Sequence, residues 1–265
     1  MSEQPVLLYE KKFDGRVVVM TMNRPEARNA LNGELSYALN EGWVRFRDDD
    51  EAWVAILTGA GEVAFSAGAD LKEVSRIRTG QQKVTLQPPS RPSGPLCESI
   101  NLWKPTIAAI NGYAIAAGWS LAQQCDIRIA AEHAELGIAE ARWNMPAPWI
   151  HTLPRELLLG HALEIVLWGD RRITAQRAYE IGFVNRVVPQ DRLMEEALEW
   201  AERMLYLAPK AVRNFKQILY RSYSMSTVEA AAFSTALEQN LAGMQDSIEG
   251  PLAFSQKRKP SFKNK

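Results

Sequence analysis

The sequence predicts an α/β fold. Three observations carry that expectation: β-branched runs that stop at turn residues, segments of helical spacing between them, and near-continuous apolar character along the runs, as in strands covered on both faces. The chain has 265 residues, 46% of them hydrophobic and 23% charged. That is enough for one large domain or a core with a small appendage. The composition excludes disorder, collagen and coiled coil.

Residues 16–22 read as a strand that Asn23-Arg24-Pro25 stops. Residues 26–47 read as a helix, with Ala30, Leu31, Leu35, Leu39, Trp43 and Phe46 near one face and Asp48-Asp49-Asp50 as its end. A second strand spans 53–58 and stops at Gly59-Ala60-Gly61; a third spans 106–110 and stops at Asn111-Gly112. A short helix over 120–124 leads to a strand over 126–131. Residues 174–181 read as a helix with Thr174 as N-cap, 182–189 as a last short strand and 190–207 as a further helix. Beyond residue 208 the strand signals cease, and 212–244 reads as helical. The expected division is therefore an α/β core over 1–195 and a helical region over 196–265. The polar, proline-rich stretch 80–95 is expected to be a flap over a site, because so long a loop in a compact domain is usually functional.

Charge is balanced, 31 basic against 31 acidic residues, so no bulk field selects nucleic acid or an anionic membrane as partner. The last nine residues depart from that balance, with Lys257, Arg258, Lys259, Lys263 and Lys265 and no acid. Two cysteines, Cys97 and Cys125, make no disulfide framework and no zinc ribbon. With no secretory pattern and no apolar run of membrane-spanning length, the expected location is cytoplasmic. His133, His151 and His161 have no Asp or Cys at ligand spacing, so no metal site is expected. Of the three, His151 is the one placed near a site, as a secondary acid/base or hydrogen-bonding group.

Four patches together resemble the crotonase family, the enoyl-CoA hydratase/isomerase superfamily. They are Asn23-Arg24-Pro25-Glu26-Ala27-Arg28-Asn29-Ala30-Leu31, Ala64-Phe65-Ser66-Ala67-Gly68-Ala69-Asp70-Leu71-Lys72, residues 104–118 from Lys104-Pro105-Thr106 to Ala116-Ala117-Gly118, and Lys257-Arg258-Lys259-Pro260-Ser261-Phe262-Lys263. They stand in the family's order and span nearly the whole chain. The resemblance implies a spiral of ββα units with a C-terminal helical trimerisation region, assembly as a homotrimer or dimer of trimers, and a coenzyme A thioester as substrate. No cofactor is expected to be tightly bound; coenzyme A enters as part of the thioester.

The resemblance makes the N–H groups of Ala69 and Ala117 the oxyanion donors. The residues agree, since 66–69 and 114–118 are small-residue turns that let a ligand approach the backbone, and the second opens a helix whose N-terminus favours an anion. In two-glutamate hydratases of the family, carboxylates at two positions hold the water. Here the first position is Ser120 and the second is Glu140. One carboxylate remains, so Glu140 is the expected general acid/base. The resemblance also implies Arg28, Ala67, Asp70 and Leu71 on the near side of coenzyme A, with Phe262 and Lys263 from the C-terminal segment, of this chain or a neighbour. The segment Arg142-Trp143-Asn144-Met145-Pro146-Ala147-Pro148-Trp149-Ile150-His151 replaces a glycine-rich stretch. Its bulk predicts a stiff apolar wall and an acyl group other than a short straight chain.

Several reactions remain open at this stage: hydration or dehydration of an unusual enoyl-CoA, double-bond isomerisation, carbon–carbon cleavage as in hydroxycinnamoyl-CoA hydratase-lyases, and a catalytically silent acyl-CoA-binding homologue. The stretch Ala232-Phe233-Ser234-Thr235 lacks the tyrosine that binds the phenol in those lyases. Gly118-Trp119-Ser120-Leu121-Ala122 admits a further reading, a nucleophile elbow of a thioester hydrolase, although no histidine follows in a recognisable triad order.

Overall fold

The computed structural model describes residues 5–84 and 95–265, so most of the expected 80–95 flap lies outside the described residues. In its first half the chain runs through β1 (Leu7–Lys12), β2 (Val17–Met22), α1 (Gly33–Asp48), β3 (Val54–Gly59), β4 (Ala64–Ser66), α2 (Leu71–Arg78), α3 (Leu96–Ser99), β5 (Thr106–Ile110), β6 (Tyr113–Ile115) and α4 (Ala117–Gln124). Then follow β7 (Ile127–Ala131), β8 (Glu135–Gly137), α5 (Leu159–Leu167), β9 (Ile173–Thr174), α6 (Ala175–Glu180), β10 (Arg186–Val188), α7 (Leu193–Met204), α8 (Pro209–Ser222), α9 (Thr227–Glu238) and α10 (Gln245–Ser255).

Two sheets result, one in the order β1-β2-β3-β5-β7-β10 and one in the order β4-β6-β8-β9. The chain alternates between them: β3-β4, β5-β6 and β7-β8 each add one strand to either sheet before a helix closes the turn. That is the spiral of ββα units. All neighbours in the first sheet are parallel except β1 against β2, as crossover connections require.

Alternate residues of the central strands feed two cores. Val18, Met20, Ala55, Leu57, Ala108 and Ile110 face one side with α1 and α4, whereas Val17, Val19, Val54, Ile56, Ile107 and Ala109 face the other. There they meet Leu193, Ala197 and Ala201 of α7. Burial on both faces is why β3 and β5 read as unbroken apolar runs. Burying each Val or Ile side chain contributes about 1.5–3 kcal/mol.

Polar side chains tie the layers together. Asn111, at the end of β5, donates from Nδ2 to the carbonyls of Gly59 (2.9 Å) and Gly61 (2.7 Å) and accepts from Gly59 N–H (3.1 Å). Thr174 caps α6 through Arg177 N–H, as its position predicts. Asp126 accepts from Thr106 N–H (2.8 Å) and from Lys216 Nζ of α8 (2.7 Å), which fixes the first C-terminal helix to the core. The 212–244 helix is interrupted: α8 ends at Ser222, and Ser226 opens α9 with a reciprocal capping box to Glu229.

Lys104 closes α1. Its ammonium donates to the carbonyls of Phe46 (2.8 Å) and Asp49 (2.6 Å), and burial, with Arg213 nearby, lowers its pKa to about 8. Lys104→Met should cost about 1–3 kcal/mol, because the helix-end carbonyls lose their donor out of reach of water. Urea unfolding measures this, and an unchanged midpoint would contradict it.

Candidate active site

The site starts from a loop that two left-handed residues shape. Arg28 and Asn29 have φ of 52° and 53°. This lets the fully buried Asn29 donate from Nδ2 to Ala60 O (3.0 Å) and Ala64 O (2.8 Å). The expected helix therefore begins at Gly33, capped by Asn32, and not at Glu26. The same loop holds the 66–70 turn. Ala67 N–H donates to Arg28 O (3.0 Å), Leu31 N–H to Gly68 O (2.7 Å), and Asp70 N–H to Leu31 O (3.0 Å). Ser66 Oγ donates to Asn29 O (2.8 Å) and accepts from Gly68 N–H (3.2 Å). Leu31 and Ala69 thus form an isolated parallel β-bridge whose bonds are made by the residues on either side of Ala69, and Ala69 N–H takes no part in them.

A second turn lies against the first. Gly68 has φ +87°, and a Cβ there would stand 2.7 Å from Ile115 O and 3.2 Å from Ala117 N. Ala116 takes the unusual pair φ 56°, ψ −122° and opens α4, so Ala117 N–H is among the first-turn donors without an intrahelical acceptor. Trp119, fully buried, stacks on Phe183 with centroids 4.0 Å apart and holds α4 in place.

Both turns line a cavity of about 340 Å³. Leu31, Leu39 and Trp43 form one wall, and Trp143, Met145, Pro146, Pro148 and Trp149 another. The bulky segment thus sits at the cavity, with Trp149 buried and Trp143 exposed over 54% of its surface. Ser120 and Glu140 also line it, 6% and 8% exposed. Glu140 starts a 3₁₀ helix over Glu140–Trp143, and its Oε2 is buried without a hydrogen-bond partner. Burial raises its pKa, and hydrogen bonds from local backbone N–H groups and the Trp149 indole offset this only in part. The arrangement brings the Glu140 carboxyl together with Ala69 and Ala117 around one largely apolar cavity.

A family model described as enoyl-CoA hydratase/isomerase matches residues 12–265. The chain belongs to the enoyl-CoA hydratase/isomerase family. The carnitinyl-CoA dehydratase of Escherichia coli K12 is 36% identical over 263 residues, covering 95% of this chain and 97% of its own. That of Salmonella arizonae is 37% identical over 261 residues, covering 94% and 96%. Among solved structures, a probable enoyl-CoA hydratase/isomerase from Mycobacterium abscessus superposes with a TM-score of 0.87 at 32% identity, covering 99% of this chain and 100% of that one. As a member of this family, the protein is an enzyme of lyase or isomerase type.

Against that family pattern, the structure places the remaining candidate residues unevenly. Ala67 and Leu71 line the cavity, and Arg28 extends into solvent beside Ala67. The Asp70 carboxylate is already engaged: it caps α2 through Glu73 N–H (3.2 Å) and pairs with Arg24 at 3.2 Å. His151 does not reach the cavity. The 3₁₀ helix over Ile150–Arg155 turns it outward, where it is exposed with Nδ1 2.7 Å from Pro148 O. No histidine lines the cavity among the described residues, so Ser120 has no base of the kind a nucleophile elbow needs. Within this chain Phe262 and Lys263 stay away from the cavity too. Phe262 is 8% exposed in the core on the opposite face of the six-stranded sheet, and the backbone N–H of Lys263 is held by Asp246 of α10 (2.8 Å). Arg24, which also donates to Ala30 O, and the α1 residues Leu39 and Trp43 are the contributors that motif reading missed. The helical spacing of α1 did place Leu39 and Trp43 on one face. Among the described residues no group of three or more His, Cys, Asp or Glu is placed to hold a metal ion, and no helix is long and apolar enough to cross a membrane.

The contact between the turns leaves no room for a methyl group at Gly118, whose Cβ would lie 2.2 Å from Ser66 O. Gly118→Ala should cost about 1–3 kcal/mol through forced separation of the turns. The control Gly160→Ala, on α5 with nothing within 4 Å, should be neutral or stabilising by up to about 1 kcal/mol. Equal shifts in thermal unfolding for the two variants would contradict this account.

Proposed function

We propose that the protein interconverts a 3-hydroxyacyl-CoA and its 2-enoyl-CoA by removing or adding water, on an acyl group bulkier than a short straight chain. The observation that carries this reading is Glu140: a buried, partnerless carboxyl oxygen at the wall of a cavity whose other side is made by the turns of Ala69 and Ala117. The thioester oxygen accepts from both N–H groups. Each such donor is worth about 2.7–4 kcal/mol to the barrier. Glu140 takes the proton from Cα, and the electron pair moves onto the thioester as an enolate. The enolate then expels the Cβ hydroxyl with the C–O pair, and Glu140 returns its proton to that oxygen, giving water and an unprotonated carboxylate. One carboxyl serves both steps, and burial suits it to them by bringing its pKa closer to neutrality. Ser120, at the first carboxylate position, is left to hold the departing water.

The relatives named carnitinyl-CoA dehydratase favour the dehydration direction and a substituted acyl group. Trp43, Trp143 and Trp149 in the cavity wall support the same reading, since indole faces accept apolar or quaternary ammonium groups. Carnitinyl-CoA is therefore the first thioester to assay. For coenzyme A, Arg28, Ala67 and Leu71 form the near side, with Asp70 contributing as the residue that fixes the turn. Lys263, exposed beside the core residue Phe262, serves a neighbouring copy in a homotrimer or dimer of trimers. Exposed Phe215, Leu219, Val228 and Ile248 on the C-terminal helices support such self-association.

Glu140→Gln tests the reading. Turnover should fall by about 10²–10⁴-fold, exchange of the Cα proton in deuterated water should fall with it, and acyl-CoA binding should persist. Undiminished turnover would contradict the mechanism.

A further inference from the structure

A dehydratase must pass a water molecule while the thioester fills the mouth of its cavity, and a second small space lies behind Ser120. A space of about 10 Å³ lies there, lined by Pro95, Ser120, Gln123, Gln124, Trp149 and Thr152. It shares Ser120, Gln124 and Trp149 with the active-site cavity. On its far side it shares Pro95 and Thr152 with another cavity, of about 250 Å³. The intermediate space is about the size of one water, and Ser120, Gln123, Gln124 and Thr152 bring polar side chains to its lining.

An unmet hydrogen bond points to the same molecule. Gln123 Nε2 donates to Thr152 Oγ1 at 2.9 Å, and Thr152 Oγ1 donates to Trp149 O at 2.7 Å. Gln123 Oε1 is buried with no donor. Buried amide oxygens are rarely left so, and a water in the adjoining space supplies the missing donor. The outer cavity is suited to holding water, since Asp126, Arg128, Arg155 and Glu156 line it beside Leu219 and Tyr220, with Arg128 and Glu156 paired at 3.0 Å.

We propose that the space between Ser120, Gln123 and Thr152 is a one-water port, through which water passes between the outer cavity and the active site while acyl-CoA occupies the front. The proposal rests on the hydratase/dehydratase reading above. Water moves through the port intact; the only bonds made and broken are those at Cα, Cβ and Glu140.

The test is to incubate the enzyme with a 3-hydroxyacyl-CoA, carnitinyl-CoA first, in ¹⁸O-labelled water, with excess thiol to capture released enoyl-CoA. Residual substrate is then examined for ¹⁸O in its hydroxyl. A port predicts that label enters the residual substrate despite the capture, because water exchanges before the enoyl-CoA leaves. Thr152→Val and Gln123→Leu each remove part of the polar lining and should lower that label about tenfold, with enoyl-CoA formation kept within about threefold. Abolition of labelling by the thiol in the native enzyme would overturn the port, as would full labelling in both variants. If no thioester tested yields captured enoyl-CoA, the dehydratase reading itself fails, an outcome distinct from either.

Discussion

Everything at the site depends on one steric contact, the seating of the 66–70 turn against the start of α4. The two backbones approach so closely that side chains are excluded at Gly68 and Gly118. The contact brings β4 of the smaller sheet against the helix that follows β6. It sets Ala69 and Ala117 side by side on the lining of one cavity. Asn29, Ser66 and Asn111 hold the arrangement from behind by filling the carbonyls that such tight turns would otherwise strand.

That backbone frame gives the lone carboxyl its meaning. Desolvation disfavours the charged form of Glu140, so the fold carries a cost for keeping a carboxylate at the cavity. In the proposed reaction, a thioester whose oxygen accepts from Ala69 and Ala117 would offset that cost, because negative charge would then move from Glu140 onto an oxygen provided with N–H groups. The apolar walls strengthen both effects by excluding water. The same walls make a defined place for water necessary, a role proposed above for Ser120 and the polar residues behind it.

Much of the architecture was legible because the central strands are buried on both faces. β5 matches its expected bounds, and β2, β3 and β7 match theirs to within a residue. The second sheet was not legible, since β4, β6 and β8 are three residues long and carry no period of their own. Tertiary bonds overrode local propensity at residues 26–31, where Asn29 gives up helical geometry to reach Ala60 and Ala64. At the site, Ser120, Glu140 and the tryptophan segment meet at the cavity as their spacing in the motifs suggests. His151 does not, because a 3₁₀ helix reverses its direction. Phe262 is a core residue on the far face of the sheet, a placement that the basic tail around it does not reveal.

The central claim is that a single carboxyl carries the proton between Cα and the oxygen on Cβ. It is tested most directly by the stereochemistry of hydration in deuterated water. One group working from one face delivers deuterium to Cα and hydroxyl to Cβ on the same side, so the account predicts syn addition, read from the proton couplings of the product. Anti addition would require an acid/base on the opposite face and would contradict the account.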